Sequence, residues 1–222
     1  MRQTNEIFSN TITRDVKYNF LLHLPKEYND LQSNKWPLII FLHGAGERGD
    51  NVEIIKEHGG LPKVIENGLE LPCVVASPQC PANSFWVNEL QNLNYFIDTL
   101  VEGYNIDIHR IYLTGMSMGG FGTWYLAMAY PEKFAAIAPI CGGGMSWNAK
   151  VLNKIPVWAF HGAKDPVVPL FESENMIETL KNCGAKEVKF TVYPEAKHDS
   201  WTETYMNKDL YKWFLSHRKE EV

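Results

Sequence analysis

The chain has 222 residues and a formal net charge of −5, with 45% hydrophobic and 21% charged residues. This length suits one α/β domain with a large core, so we predict a single domain over residues 1–222. The mild acidity and the lack of long runs of like charge argue against nucleic acid as a partner. No run of eighteen apolar residues occurs, which argues against a membrane partner, and the polar segment Met1–Asp15 lacks a signal-peptide core. We therefore expect a cytoplasmic protein, or a secreted one whose signal has been removed.

The four cysteines, Cys73, Cys80, Cys141 and Cys183, are widely spaced and form no CxxC or Cys/His cluster. The spacing predicts no metal site. Cys73 and Cys141 lie in apolar segments, where we expect free thiols that pack as small hydrophobic groups. A Cys73–Cys80 disulfide is the alternative in an oxidising compartment.

Strands and helices alternate along the chain. In chain order, the pattern predicts strands at Val16–Leu24 and Pro37–Leu42, a helix at Leu61–Asn67, a strand at Cys73–Ala76, a helix at Val87–Val101, a strand at Arg110–Thr114, a helix at Ser117–Tyr130, strands at Phe134–Ile140 and Ile155–Phe160, a helix at Phe171–Asn182, a strand at Glu187–Tyr193 and a helix at Thr202–Ser216. Strands separated by helices pair in parallel through crossovers. We therefore predict an α/β fold with a mostly parallel sheet and helices on both faces. In such sheets, reactive groups lie just past the carboxyl ends of the strands.

The pentapeptide Gly115–Gly119 (GMSMG) matches the pattern G-x-S-x-G between a predicted strand and a predicted helix. This is the setting of a nucleophile elbow, a sharp turn in which side chains two positions away from the serine would collide. Glycines at both positions remove that collision. We predict Ser117 as the nucleophile; the alternative is a serine in a glycine-rich turn that only begins a helix.

A serine nucleophile needs N–H donors for the oxygen that becomes negative in the reaction. One donor is expected to be the backbone N–H of Met118, and the second should come from the loop His43–Gly49. We assign the second to Ala45, with Gly44 as the alternative. His43 is expected to hydrogen-bond this loop rather than to act as a base. Arg48 is a candidate for holding an anionic substrate.

In this arrangement the acid and then the histidine follow the serine along the chain. Asp165 lies in a turn after the strand Ile155–Phe160, and His198 lies in the loop after Glu187–Tyr193. We predict His198 as the general base and Asp165 as the acid that orients it. Glu172 and Glu195 are the alternative acids. His161, at the end of the preceding strand, is expected to support the Asp165 turn.

The predicted connection between the strands at 134–140 and 155–160 is short. It leaves no room for a cap domain, so we expect an open cleft that suits small or exposed esters. Trp86 and Trp147 are candidates to line it, and an aromatic wall would suit flat acyl groups. For each tryptophan, the alternative is an ordinary core or surface-covering role.

Four motifs together carry a resemblance to a known family. They are Phe41–Gly49 (FLHGAGERG), Gly115–Gly120 (GMSMGG), His161–Pro169 (HGAKDPVVP) and His198–Trp201 (HDSW). They resemble the α/β-hydrolases that include the phospholipase/carboxylesterases and the feruloyl-esterase-like "predicted peptidase" group. The resemblance implies an α/β-hydrolase fold, a small-molecule ester substrate, hydrolysis through an acyl-enzyme, and no metal or organic cofactor.

Within that group the loop sequence Gly-Ala-Gly-Glu-Arg at 44–48 departs from the Gly-Leu-Gly-Asp form common among acyl-protein thioesterases and lysophospholipases. This difference argues against those two activities. A thioesterase, a lactonase or a small peptidase with the same three residues remains the alternative enzyme. A ligand-binding protein built on a hydrolase fold is the alternative from outside enzymology.

Overall fold

The computed structural model describes residues 3–28 and 35–219, so the predicted domain limits at 1 and 222 lie outside the described residues. Its strands are β1 (Phe20–His23), β2 (Trp36–Leu42), β3 (Val74–Pro78), β4 (Ile106–Met116), β5 (Ala136–Ile140), β6 (Val157–Gly162) and β7 (Val188–Tyr193). Its helices are α1 (Leu61–Glu66), α2 (Leu90–Gly103), α3 (Met118–Ala129), α4 (Phe171–Asn182), α5 (Trp201–Met206) and α6 (Lys208–Leu215). No helix within the described ranges combines the length and apolar character that crossing a bilayer requires.

The strands form one sheet in the order β1-β3-β2-β4-β5-β6-β7. β1 pairs with β3 in antiparallel orientation, and every other pair in the sheet is parallel. This arrangement confirms the predicted α/β fold with a mostly parallel sheet.

The central strand β2 shows why helices cover both faces of the sheet. Leu38 and Ile40 belong to a core shared with α2, α3 and α4, whereas Ile39 and Phe41 belong to a core shared with α1, α5 and α6. All four side chains are fully buried. Successive side chains of a strand point to opposite faces, so an unbroken apolar run requires cover on both.

Several boundaries differ from the prediction. The first strand begins at Phe20 rather than Val16, and the Tyr18 hydroxyl before it donates to the Glu89 carboxylate instead. β4 begins at Ile106, four residues before the predicted start, and its pairing with β2 is irregular at that end. Polar residues near its start interrupt the hydrophobic pattern, so the sequence did not predict the first part of this strand.

The predicted helix Thr202–Ser216 is wrong as a single element, because the structure divides it into α5 and α6 at Asn207. Asn207 has φ −76° and ψ 106°, which is an extended conformation, and its side chain accepts a hydrogen bond from the N–H of Asp209. Asparagine competes in this way with helical hydrogen bonds and favours the first position of a helix.

All four cysteines lie in the described residues and carry free thiols. Cys73 and Cys141 are fully buried, as expected for small core side chains, and the alternative Cys73–Cys80 disulfide is not formed. Burial raises the pKa of Cys73, Cys80 and Cys141 to about 12, so these thiols are protonated and unreactive at neutral pH.

The loops at the carboxyl ends of the parallel strands bring the predicted site residues to one edge of the sheet. β2 leads to Ala45, β4 to Ser117, β6 to Asp165 and β7 to His198. The connection between β5 and β6 carries the 3₁₀ helix Ser146–Leu152, which packs beside α4.

Candidate active site

Ser117 lies in the sharp turn between β4 and α3. Its φ is 55° and its ψ is −116°, a conformation that side chains disfavour. The Ser117 N–H donates to the Ile140 carbonyl at 3.0 Å, and its own carbonyl accepts from the Phe121 N–H at 3.0 Å. These bonds hold the strained residue in place, as at many reactive positions.

Two glycines make this turn possible, as the sequence predicted. A Cβ atom at Gly115 would lie 2.4 Å from the carbonyl oxygen of Gly119, and one at Gly119 would lie 1.9 Å from that of Leu42. Both distances are far below van der Waals contact. The beginning of α3 therefore packs directly against the backbone at the end of β2.

Ser117, His198 and Asp165 form one hydrogen-bonded row. His198 Nε2 lies 2.9 Å from Ser117 Oγ, and His198 Nδ1 lies 2.8 Å from Asp165 Oδ2. A carboxylate only accepts hydrogen bonds, so Nδ1 carries the proton and the Nε2 lone pair faces the serine hydroxyl. The Asp165 side chain is fully buried, whereas His198 keeps an edge open to solvent.

Asp165 is held as an ionised carboxylate. Burial by itself would raise the pKa of Asp165, but hydrogen bonds from His198 and from the N–H groups of Val167 and Val168 outweigh it and hold the pKa below its usual range. The alternative acids lie elsewhere. Glu195 pairs with Lys164, and Glu172 lies against the backbone at Gly143.

His161 lies beneath the Asp165 turn, where the sequence placed it. Its Nε2 is 2.9 Å from the Val168 carbonyl oxygen and 3.3 Å from Asp165 Oδ2, and its Nδ1 is 2.8 Å from Ser173 Oγ. The ring is fully buried. It ties the turn that carries Asp165 to the beginning of α4.

The two predicted N–H donors stand at the beginnings of short helical segments. Met118 is the first residue of α3, and Ala45 is the first residue of the 3₁₀ turn Ala45–Glu47. The first N–H groups of a helix have no partner inside it. Ala45 is exposed, and the packing of Gly119 on Leu42 makes the two segments neighbours. These positions make both N–H groups candidates for the predicted donors at the edge that carries Ser117.

His43 fixes the peptide group that bears the Ala45 N–H. His43 Nε2 accepts a hydrogen bond from the Cys80 N–H at 2.9 Å, so Nδ1 carries the proton and donates to the Gly44 carbonyl at 2.6 Å. That carbonyl belongs to the same peptide group as the Ala45 N–H. A bond to one end of a peptide group polarises the other. The fully buried His43 thus supports the loop, as expected.

An apolar pocket of about 370 Å³ lies beside Met118. Its lining residues are Phe85, Trp86, Val87, Met118, Phe121 and Tyr125. Trp86 is part of this wall, but it is fully buried. Its indole N–H donates a hydrogen bond to the His43 carbonyl at 2.9 Å. Trp147 is 81% exposed and lies outside this set.

The sequence analysis missed Phe121 and Tyr125 as pocket residues. Their spacing from Met118, three and seven positions, places all three on one face of α3. The same spacing in the sequence would have indicated Phe121 and Tyr125 as pocket residues, once Met118 at the beginning of α3 was placed beside the predicted nucleophile. Phe85 is part of the same wall, and the Arg48 guanidinium lies 4.6 Å above its ring.

Cys141, Asp165 and His198 offer potential metal ligands within 4.8 Å of one another in the described part of the chain. Asp165 and His198 already hydrogen-bond to each other. Metals bind the thiolate form of cysteine, and burial raises the pKa of Cys141 to about 12. The arrangement fits proton transfer better than metal binding.

Comparison with known proteins places this chain in a family. Residues 81–214 match the model of the Phospholipase/Carboxylesterase family. The chain belongs to this family. The match confirms the resemblance and spans three of the four motifs that carried it, and the fold is that of the α/β-hydrolases.

Several proteins similar to this chain are esterases. A bifunctional acetylxylan esterase/xylanase from Neocallimastix patriciarum is 29% identical over 131 residues, which cover 58% of this chain and 18% of that protein. A probable feruloyl esterase C from Aspergillus terreus is 25% identical over 177 residues, which cover 76% of this chain and 64% of that protein. The crystal structure of a thermostable esterase superposes with a TM-score of 0.78 at 36% identity, covering 90% of this chain and 59% of that one. The chain thus spans less than two thirds of each of these three proteins.

Proposed function

We propose that this protein is a serine hydrolase that cleaves carboxylic esters through an acyl-enzyme. The observation that carries the proposal is the row from Ser117 Oγ through His198 to the buried Asp165, with bonds of 2.9 and 2.8 Å. Such a row provides a nucleophile, a base and a group that orients the base. Membership of the phospholipase/carboxylesterase family supports the same chemistry.

In the first half of the reaction, Ser117 Oγ attacks the ester carbonyl carbon while His198 Nε2 takes the serine proton. The carbonyl oxygen becomes negative and is held by the N–H groups of Met118 and Ala45. His198 then gives its proton to the leaving alcohol as the carbon–oxygen bond breaks. The acyl group remains on Ser117.

In the second half, water replaces the alcohol. His198 takes a proton from the water, the resulting oxygen attacks the acyl-enzyme, and the carboxylic acid leaves as Ser117 regains its proton. Asp165 stays ionised throughout, because its job is to hold the imidazole and to stabilise its charged form. The depressed pKa of Asp165 suits that role.

The pocket beside Met118 supports esters with a compact apolar or aromatic acyl group. Its walls are apolar, and its volume of about 370 Å³ accommodates an aromatic ring with a short linker. The short connection between β5 and β6 supports an open cleft, which suits exposed esters. Acetyl and feruloyl esters, which the names of the two curated relatives mention, are the first substrates to test.

The proposal is tested by Ser117→Ala in a substrate panel. Purified protein is assayed on p-nitrophenyl esters of rising chain length, methyl ferulate, an acyl-CoA, a lactone and a peptide anilide. We expect hydrolysis of the short and aromatic oxygen esters, and loss of at least about a thousandfold in turnover in the variant.

Two other results would contradict the proposal. Preference for the acyl-CoA, the lactone or the anilide would favour the corresponding alternative enzyme. Failure of a fluorophosphonate probe to label Ser117 in the folded protein would favour a ligand-binding protein.

A further inference from the structure

Glu47 is a buried carboxylate in the loop that presents the Ala45 N–H. Its side chain is only 3% exposed, and its Oε1 accepts a hydrogen bond from His58 Nδ1 at 2.7 Å. Its Oε2 has no hydrogen-bond partner and lies 3.6 Å from His43 Nδ1. Burial by itself would raise the pKa of Glu47, but its interactions with His43 and His58 outweigh burial and hold the pKa below its usual range. The surroundings therefore favour an ionised carboxylate that ties the Ala45 loop to His58.

His58 also contacts the loop that carries the proposed base. The His58 carbonyl accepts a hydrogen bond from the indole N–H of Trp201 at 2.6 Å. The Trp201 ring stands edge-on to the His198 imidazole, with 5.2 Å between ring centroids and 89° between ring planes. His58 therefore joins the Ala45 loop on one side to the His198 loop on the other.

We propose that Glu47, His58 and Trp201 form a brace that fixes the Ala45 N–H relative to His198. The inference rests on the proposed function, in which the Ala45 N–H binds the negative oxygen of the tetrahedral carbon. The His198 imidazole transfers protons to and from the other oxygens attached to the same carbon. The three residues are positioning residues, since none of them contacts the reacting atoms. The brace adds to the contacts of His43, whose Nδ1 lies 3.6 Å from Glu47 Oε2.

The composition of the loop explains the need for a brace. Gly44 and Gly46 flank Ala45, and glycine gives a backbone little stiffness of its own. A donor that moves by about 1 Å can lower a reaction rate by about a hundredfold. Glu47 is well placed to prevent this motion, because its carbonyl also accepts a hydrogen bond from Gln79 Nε2 at 2.9 Å.

The first test compares two substitutions of Glu47 with a matched control. Glu47→Met removes both oxygens at similar length, Glu47→Gln keeps an acceptor for His58, and Glu57→Gln makes the same charge change at an exposed neighbour. We expect kcat to fall roughly tenfold or more in Glu47→Met, by less in Glu47→Gln, and to stay unchanged in Glu57→Gln.

Two further measurements separate positioning from a structural role. KM should change less than about twofold in Glu47→Met, while the inhibition constant of a trifluoromethyl ketone, whose adduct mimics the oxyanion, rises in proportion to the loss in kcat. Glu47→Met also removes the partner of His58, so its melting temperature should fall, and kcat is therefore compared well below both melting temperatures. A normal kcat in Glu47→Met overturns the proposal, and so does a loss in kcat that disappears when the assay is run well below the melting temperature of the variant.

The second test asks whether the two ends of the brace act together. Trp201→Phe removes the indole N–H and keeps an aromatic ring beside His198. The double variant with Glu47→Met should be no slower than the slower single variant, because either change already releases the loop. Independent, multiplying losses would show that the two residues do not form one brace.

The rate at which a fluorophosphonate labels Ser117 provides a reading that does not depend on the substrate. Labelling also passes through a negative oxygen, so a brace predicts slower labelling in Glu47→Met. A wild type that labels but hydrolyses no ester contradicts the proposed function and leaves the brace measurable. Equal rates of ester hydrolysis in the wild type and in Glu47→Met contradict the brace alone. A wild type that is neither labelled by the fluorophosphonate nor active on esters contradicts both the proposed function and the brace.

Discussion

A Cβ atom on Gly119 would lie 1.9 Å from the carbonyl oxygen of Leu42, so the helix that follows Ser117 rests directly on the strand that leads to Ala45. The contact is between backbone atoms, which have little freedom to move aside. It sets the spacing between the two proposed oxyanion donors. The spacing of the two donors thus depends on the absence of a side chain at Gly119.

We therefore expect Gly119→Ala to lower both stability and activity. The methyl group forces α3 away from β2, and overpacking of this kind costs about 1–3 kcal/mol in the free energy of unfolding. Ester hydrolysis should fall by about a hundredfold or more, because Met118 and Ser117 move with the helix. Urea unfolding and initial rates measure the two effects. Gly103→Ala is the control, since its added Cβ would meet no atom within 4 Å beyond its neighbours in the chain and its own helix backbone, and a similar loss there would contradict the explanation.

Asp165→Asn should abolish most activity without unfolding the protein. The amide can donate to His198 Nδ1, which places the imidazole proton on Nε2 and removes the lone pair that faces Ser117. By analogy with the serine-protease case, the expected loss in kcat is roughly ten-thousandfold. Glu195→Gln and Glu172→Gln should retain at least about half of wild-type kcat, because neither residue contacts His198. A larger loss in either of these than in Asp165→Asn would move the acid to that residue.

Substitutions in the pocket beside Met118 should change acyl preference rather than chemistry. Phe121→Trp fills part of the pocket, so kcat/KM should fall for p-nitrophenyl hexanoate and methyl ferulate but change little for p-nitrophenyl acetate. Trp147→Ser is the matched control at an aromatic residue outside the pocket lining. Equal losses on acetate and hexanoate in Phe121→Trp would show that this pocket does not hold the acyl group.

The free energy of unfolding should fall in acid because Asp107, which lies far from the site, becomes protonated. Burial alone would raise the pKa of Asp107, but hydrogen bonds from Arg110, from the His109 N–H and from Arg218 outweigh it and lower the pKa. A carboxyl whose pKa is lower in the folded state stabilises the fold above its unfolded pKa, and this stabilisation is lost as pH falls through the folded pKa.

The free energy of unfolding, measured between pH 7 and pH 2.5, tests this account. Asp107→Asn should destabilise the protein at pH 7 and have a smaller effect at the acid end. Asp209→Asn, at a residue exposed on α6, should not change the pH dependence. An equal effect of Asp107→Asn at both pH values would show that its charge is not responsible.

The sequence predicted those features that depend on local pattern. The apolar run Pro37–Leu42 and the strand–turn–helix around Ser117 were readable because each is contiguous in the chain. The positions of Asp165 and His198 followed from the rule that parallel strands end at one edge. The choice of Asp165 over Glu195 and Glu172 still needed the structure, since it depends on which carboxylate reaches His198.

Contacts between distant segments were beyond that reasoning. Trp86 is buried because its indole N–H reaches the carbonyl of His43, and Glu47 is paired because the chain returns at His58. The end of α5 depends on Asn207, whose side chain competes with a helix that the apolar pattern would otherwise continue. The hydrophobic pattern of the sequence predicts helices and strands. The contacts named above depend on which groups from distant parts of the chain come together.

Ser117 and Cys141 are the two non-glycine residues of the described chain with positive φ, at 55° and 40°, and they stand at neighbouring strand ends. Each such conformation costs of the order of 1–3 kcal/mol relative to a relaxed backbone. Replacement by glycine would relieve that strain at either position, and at Ser117 it would also remove the proposed nucleophile. Directed evolution for heat resistance, if screened on folding alone, would therefore be drawn to these two strand ends, one of which carries the proposed nucleophile. A screen that also selects for ester turnover would keep Ser117, so its gains would come from Cys141 or from other places, for example the exposed faces of the helices.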